Sequence, residues 1–308
     1  MTVAAYGGWM DATLDLRTEI REFLRSRRAR IAPEMAGLPT YGGRRRVEGL
    51  RREEVALLAG GVSVEYYVRI ERGSLAGTSE GVLDALATAL QLDNAERDHL
   101  LHLARQSGAP ARRQHREPPV TVRPALQEVL DAMTGAPAWI RNGRHDVLAM
   151  NELGRALYSP MLADPRRPAN TVRFVYLHPR EAEKFFVDYD QATRNAAAVS
   201  RMELGRNPPH DAELVALIGE LSTRSELFRQ RWASQDVRLH GHGSKRVNHP
   251  AVGRLDLNFE SMDIPTDPGL QLNVYTAAGG PTADKLVLLA SWSNAHGVPD
   301  PSTASTAV

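Results

Sequence analysis

Cysteine is absent from all 308 residues, which excludes disulfides, thiolate metal sites and cysteine nucleophiles. Lysine is scarce: Lys184, Lys245 and Lys285 stand against 35 arginines. Arginine forks suit phosphate and guanine, although an enrichment spread along the whole chain also follows from a GC-rich genome. No apolar run approaches the roughly 20 residues that span a bilayer. The first fifteen residues lack a basic stretch followed by an apolar core, so no secretory signal is expected. Catalytic signatures are missing too: there is no phosphate-binding glycine loop, no G-x-S-x-G elbow and no H-E-x-x-H. Acid pairs such as Asp188 and Asp190 stand two apart on an expected helix and diverge. The expectation is a cytoplasmic protein that is not an enzyme, with no cofactor and no membrane partner.

What is present is an ordinary globular composition, 42% hydrophobic and 24% charged, on a chain long enough for two cores. The net charge of +1 is unevenly spread. Residues 17–117 hold 18 arginines against 14 acidic residues, so the remainder of the chain is negative. The stretch Gly49 to Gly73, GLRREEVALLAGGVSVEYYVRIERG, organises this basic half. Val55, Leu58 and Ala59 give Arg51 to Ala59 one buried helical stripe. Gly60 and Gly61 allow the positive φ of a sharp reversal. Ser63 is placed to cap a second helix, with Glu65 in its first turn meeting the helix dipole. On that helix Tyr67 and Ile70 face inward, leaving Val64, Glu65, Val68 and Arg69 outward. About ten residues make a rod of roughly 15 Å, which fits the major groove of B-DNA.

Around this unit the periodicity predicts an amphipathic helix from Leu16 to Arg30, with Leu16, Ile20, Phe23, Leu24 and Ile31 on one face. A Pro/Gly/Arg-rich connection, Ile31 to Glu48, follows. Ser79 to Leu92 and Asp93 to about Arg105 read as two more helices, the latter opened by an Asp93/Glu96 capping box. Ser107 to Thr121 reads as a linker. Beyond it, helices are expected at Arg123–Met133, Asn151–Leu157, Glu181–Arg201, Ala212–Leu221, Ser225–Ser234 and Pro281–Trp292. Pro137–Arg141 and Asp146–Met150 read as a hairpin around Asn142-Gly143, and Arg254–Phe259 and Gln271–Thr276 as half-buried strands. Leu272 and Val274 carry the alternation of the last. The tail from Asn294 reads as disordered.

The phrase LRREEVA…AG…VSVEYYVRIERG resembles the helix-turn-helix of the phage-repressor-like XRE family, in particular its actinobacterial MmyB-like branch. That branch also uses GLP…RRR…GLRREEVA as a recurring phrase. Family members usually carry one glycine where Gly60 and Gly61 stand together, so the extra residue has to be absorbed locally. In the second half Lys245-Arg246, His249 to Gly253 and Phe259-Glu260 match a Gly-x-Lys-Arg, a His-Pro-x-Val-Gly and an aromatic-Glu pair of MmyB-like ligand-binding domains. NGRHDVLAMN and LSTRSELFRQRWASQDV agree as well, so the resemblance spans roughly Leu16 to Trp292. It implies a multidomain α and α+β chain: an N-terminal five-helix all-α helix-turn-helix domain followed by a PAS-like α+β domain enclosing an apolar cavity. The boundaries expected are a mobile leader at 1–15, the DNA-binding domain at 16–106, a linker at 107–122, the ligand-binding domain at 123–293 and a tail at 294–308.

Candidate DNA contacts are Arg44, Arg45 and Arg46 as an arm on phosphates or in the minor groove, with Arg51 and Arg52 on phosphates. Ser63, Val64, Glu65, Tyr66, Val68, Arg69 and Arg72 form the reading helix. Arg69 suits guanine, Glu65 suits cytosine N4, and the valines suit thymine methyls. Glu65 and Arg69 also have the spacing to pair with each other in the absence of DNA. Candidate ligand contacts are the aromatics Trp139, Phe174, Tyr176, Phe185, Phe186, Tyr189, Phe228, Trp232, Phe259 and Tyr275, the same set that must supply the core. Lys245 and Arg246 are available to anchor a carboxylate or phosphate. His240, His242 and His249 invite a zinc reading, but no third ligand has suitable spacing. The partners expected are a double-stranded DNA operator, a small apolar or fatty-acid-like ligand and a second copy of the chain. A ligand-free second domain that only dimerises or binds protein stays open as the alternative.

Overall fold

The structure, a computed structural model, describes residues 15–39, 47–108, 121–206, 211–297 and 301. It divides into two compact units. The first comprises residues 1–115 and takes in 201–219 and 232–238; the second comprises 116–200, 220–231 and 239–308.

The first unit is helical. α1 (Leu16–Arg30) is capped by Asp15 and buries Ile20, Phe23 and Leu24. α2 (Arg52–Leu58) follows, with the Glu54 carboxylate accepting from the Arg51 backbone N–H at 2.7 Å. α3 (Val64–Glu71) starts at Ser63, whose hydroxyl accepts from Tyr66 N–H at 3.1 Å. Between α2 and α3 the two glycines take φ of +65° and +115°. The additional residue is therefore accommodated by two successive positive-φ positions after a helix that stops at Leu58. α4 (Glu80–Ala89) is capped by Ser79. α5 (Asn94–Gly108) opens on the reciprocal Asp93/Glu96 bonds and runs three residues beyond the expected Arg105. Tyr67, Ile70, Leu83, Leu86, Leu100 and Leu103 join α1 in one core, each large aliphatic contributing about 1.5–3 kcal/mol by burial. All of the expected leader but Asp15, which caps α1, and most of the expected linker lie outside the described residues.

The second unit is built on an antiparallel six-stranded sheet. Its strands are β1 (Ala138–Asn142), β2 (Asp146–Met150), β3 (Ala169–Asn170), β4 (His242–His249), β5 (Gly253–Asp263) and β6 (Leu270–Ala277), in the spatial order β3-β2-β1-β6-β5-β4. Asn142 shapes the first hairpin. Its side-chain oxygen accepts from Arg144 N–H and Asp146 N–H, while its amide donates to the Asp146 carboxylate. Before the sheet lies α6 (Pro124–Ala132). Leu130 of α6 meets Ala138, Ile140 and Leu270 in a small core, against which Leu272 and Val274 pack. Both sheet faces are covered, so the β6 residues alternating with Leu272 and Val274, namely Asn273 and Tyr275, are the more deeply buried set.

Apart from β3, the described elements between β2 and β4 are helices: α7 (Glu152–Leu157), α8 (Ser159–Leu162), α9 (Thr171–Leu177), α10 (Pro179–Phe185), α11 (Tyr189–Arg206), α12 (Ala212–Arg224) and α13 (Glu226–Ala233). Helices α8 and α9 lie between the expected helices Asn151–Leu157 and Glu181–Arg201, where no element is expected. The single helix expected over Glu181–Arg201 is two helices. Phe186 leaves the helical path to bridge Val247, and Val187 N–H bonds to Arg246 carbonyl at 3.1 Å. Local periodicity continues through that point, but strand pairing takes the backbone. α14 (Gly280–His296) closes the chain and includes Asn294 to His296, the first residues of the expected disordered tail. Among the described residues no helix is long and apolar enough to cross a membrane.

Candidate functional site

On α3 the sequence pattern becomes a two-sided rod. Tyr67 and Ile70 are fully buried, Val64, Tyr66 and Val68 are half-buried, and Ser63, Glu65, Arg69 and Arg72 are exposed. Arg69 does not pair with Glu65. Its guanidinium lies 4.6 Å from the Tyr66 ring centroid, a cation–π contact on the helix surface. The guanidinium of Arg69 is thus held by a contact that leaves its donor fork accessible. Arg51 is exposed at the start of α2. Arg52 is half-buried and binds the Glu71 carboxylate, which also receives Arg28 at 2.6 Å. Glu71 lies within hydrogen-bonding reach of the Tyr67 hydroxyl, 3.4 Å away. Burial first, and the Glu71 charge next, push the Tyr67 phenol well above its ordinary value. Arg52 therefore already has an internal partner, tying α2 to α3, in addition to any phosphate. Arg44, Arg45 and Arg46 lie outside the described residues.

The second unit holds a cavity of about 160 Å³. Its sheet wall is set by period-two alternation: Trp139 and Arg141 on β1, Asn273 and Tyr275 on β6, Phe259 on β5 and Lys245 on β4. Phe174 and Val175 on α9, Phe186, and Val199 on α11 close the opposite side. Five of the ten candidate aromatics meet here: Trp139, Phe174, Phe186, Phe259 and Tyr275. Trp139 stacks on Tyr275 with centroids 4.5 Å apart. The other five do not line the cavity. Phe185 packs against Phe174 and Phe186 from behind. Tyr176 stands edge-on to Phe228 and donates to the Thr193 carbonyl, and Tyr189 donates to the Val175 carbonyl. Trp232 belongs to the first unit, where Arg201 stacks on it at 4.0 Å. These rings stitch helix to helix, because helical neighbours of a wall residue point away from the space the wall encloses.

Lys245 sits in the wall. Its ammonium donates to the Tyr275 hydroxyl at 3.0 Å and the Tyr158 hydroxyl at 3.3 Å, and lies 5.3–5.8 Å from the Tyr275, Phe259 and Phe186 rings. Arg246 instead forks onto Asp188 at 2.6 and 2.7 Å at the exposed rim. A buried polar chain runs along the floor. Arg141 Nη1 donates to His145 Nδ1 at 3.4 Å, His145 Nε2 meets Ser200 Oγ at 3.1 Å, and Ser200 donates to the Ala196 carbonyl at 2.8 Å. Because guanidinium only donates, Nδ1 is the acceptor and Nε2 carries the proton. Burial first, then Arg141 and His240, hold His145 well below its ordinary value, so the ring is neutral.

Arg141, His145 and Asn273 escaped the sequence reading, which sought aromatics, and Tyr158 escaped it although it is one. Arg141 stands two residues after Trp139, a spacing that puts both on one sheet face. The three histidines of the zinc reading part company. His240 stacks on Phe259 with centroids 4.7 Å apart, while His242 and His249 mark opposite ends of β4. His249 bonds to the Ala156 carbonyl at 2.9 Å and Ser159 at 3.2 Å.

Comparison with known proteins agrees with this division of labour. No curated protein matches the chain. A helix-turn-helix domain model matches residues 19–100, the region containing α2 and α3. The model of the MmyB-like transcription regulator ligand binding domain matches residues 122–289, more than half the chain and the whole of the cavity wall. With a helix-turn-helix in the first match and a lined cavity in the second, the chain belongs to the MmyB-like transcription regulators, DNA-binding proteins of the helix-turn-helix class.

Proposed function

We propose that this regulator binds a specific operator as a homodimer and that a small, largely apolar ligand in the second unit modulates occupancy. The functional division runs between residues 16–106, which engage DNA, and 123–293, a PAS-like sensor, with 107–122 as the linker. The protein acts in the cytoplasm, where its operator is. Ser63, Val64, Glu65, Tyr66, Val68, Arg69 and Arg72 face the major groove, and Arg51, Arg52 and the arm Arg44 to Arg46 meet phosphates. Two such helices related by a dyad address half-sites about one helical turn apart. The observation that carries this reading is the two-sidedness of α3: a back cemented by Tyr67 and Ile70, and a front where Glu65, Arg69 and Arg72 stay exposed.

For a ligand to change occupancy it must bind the DNA-competent and incompetent arrangements with different affinity.

The test is operator titration at several salt concentrations. Arg69→Ala should lose about 1–3 kcal/mol of preference for operator over unrelated duplex, while Arg45→Ala should mainly flatten the salt dependence, by about one unit of slope. Indifference of both measurements to both changes would remove the reading.

One observation favours the alternative in which the second unit is an interaction module. α14 exposes the adjacent Val287 (69%) and Leu288 (61%). If that patch is the dimer contact, replacing both by Ser yields monomers in sedimentation without affecting the fold.

A further inference from the structure

The polar atoms of the cavity wall are unbalanced in sign. Among the described residues, Asp188 is the only carboxylate in the lining, and it is engaged by Arg246 at the exposed rim. Arg141 and Lys245 bring two cations to the wall, and neither His145 nor Asn273 brings a negative charge. Lys245 makes no ion pair among the described residues; its hydrogen bonds go to the two tyrosine hydroxyls. An ammonium has three donors, so one is left over. Removing a cation from water without an anion is costly. The Trp139 indole N–H is a second donor of the same kind: the residue is 3% exposed and Nε1 has no hydrogen-bond partner. Trp139 stacks on Tyr275 and stands edge-on to Tyr158 at 4.6 Å, so the two spare donors belong to one cluster built around the same pair of tyrosines.

Size and shape narrow the occupant further. A volume of about 160 Å³ is close to the roughly 150 Å³ of a cavity that takes one benzene ring. The walls supplied by Phe174, Phe186, Phe259 and Trp139 favour a flat apolar body through stacked and edge-on contacts. A long saturated chain exceeds that volume, so it would either displace wall side chains or leave part of its length outside the cavity.

We propose that the cavity takes a compact carboxylate carrying a single aromatic ring, its carboxylate held by Lys245 and Trp139 and its ring held among the phenylalanines. This rests on the reading that the second unit senses a small molecule, and it names the ligand class. A carboxylate supplies the charge-assisted acceptors that both donors lack. A neutral amide of the same shape satisfies the indole but leaves the ammonium without an anion.

The experiment is calorimetric titration of the full-length protein with three probes: phenylacetate, phenylacetamide and dodecanoate. Phenylacetate is expected to bind saturably, and phenylacetamide at least tenfold more weakly. Lys245→Met should lower phenylacetate affinity at least tenfold and leave phenylacetamide affinity within a factor of two. Trp139→Phe keeps an aromatic ring at this position but removes the indole N–H together with the five-membered ring, so it should weaken phenylacetate several-fold; it also serves if the lysine variant fails to fold. Equal binding of acid and amide, or tighter binding of dodecanoate, overturns the proposal while leaving small-molecule sensing standing. Silence of all three probes overturns both.

Discussion

Arg52 and Glu71 are joined across the turn of the helix-turn-helix, guanidinium Nε to carboxylate Oε2 at 2.5 Å, with Arg28 on the other oxygen. The Glu71 side chain is 1% exposed and that of Arg52 is 42% exposed, so the two ends of the pair differ in what they contribute. Glu71→Gln strands Arg28 in a buried site and should cost about 3–5 kcal/mol. Arg52→Ala removes a half-solvated partner and should cost under about 1 kcal/mol; if Arg52 meets phosphate as proposed, it should also weaken operator binding. Urea unfolding of the two variants checks this. Equal losses would mean that Glu71 is held by Arg52 rather than by Arg28.

Two glycines near the same motif answer different demands. Gly73 has φ of +97°, and a Cβ there would stand 2.5 Å from the Arg17 carbonyl oxygen. Gly60 has φ of +65° with open space around the would-be Cβ. Gly60→Ala should cost about 1–2 kcal/mol from the left-handed backbone alone. Gly73→Ala adds a backbone clash between α1 and the end of α3 and should cost more. The ranking is read directly from midpoints of chemical denaturation, and a larger loss at Gly60 would contradict it.

Acid sensitivity follows from His145. In the unfolded chain its imidazole takes up a proton near pH 6.5, whereas in the native protein burial, then Arg141 and His240, delay protonation to well below that. Between those two values the unfolded state binds more protons, so stability falls as pH falls, and above about 6.5 the contribution is flat. The slope from this one group approaches about 1.4 kcal/mol per pH unit. Stability measured between pH 7.5 and 5 should decline more steeply in the native sequence than in His145→Gln. Parallel curves would mean that the ring is protonated in the folded state.

The first unit was legible because its information is local. Ser63 and Ser79 cap helices by bonds to residues three positions on, Asp93 and Glu96 reciprocate within one turn, and Gly60 and Gly61 set their own dihedrals. α1 begins and ends at the residues its periodicity predicts. The second unit was legible only in outline. The break at Phe186 to Asp188 comes from pairing with β4, some sixty residues later, which no local period encodes. Aromatic spacing likewise told nothing about which rings would face the cavity, since Phe185 and Phe186 are neighbours and only one lines it.

The sequence by itself determined the family, the capped helices and the exposed flank of α3, because each depends on residues within a turn or two of one another. Only the tertiary structure decided that Arg52 answers to Glu71, that Arg141 and His145 floor a cavity, and that Lys245 stands among aromatic rings with no ion-pair partner among the described residues. Those relationships join strands and helices far apart in the chain, and their energies arise from shared burial that exists only once the elements have packed.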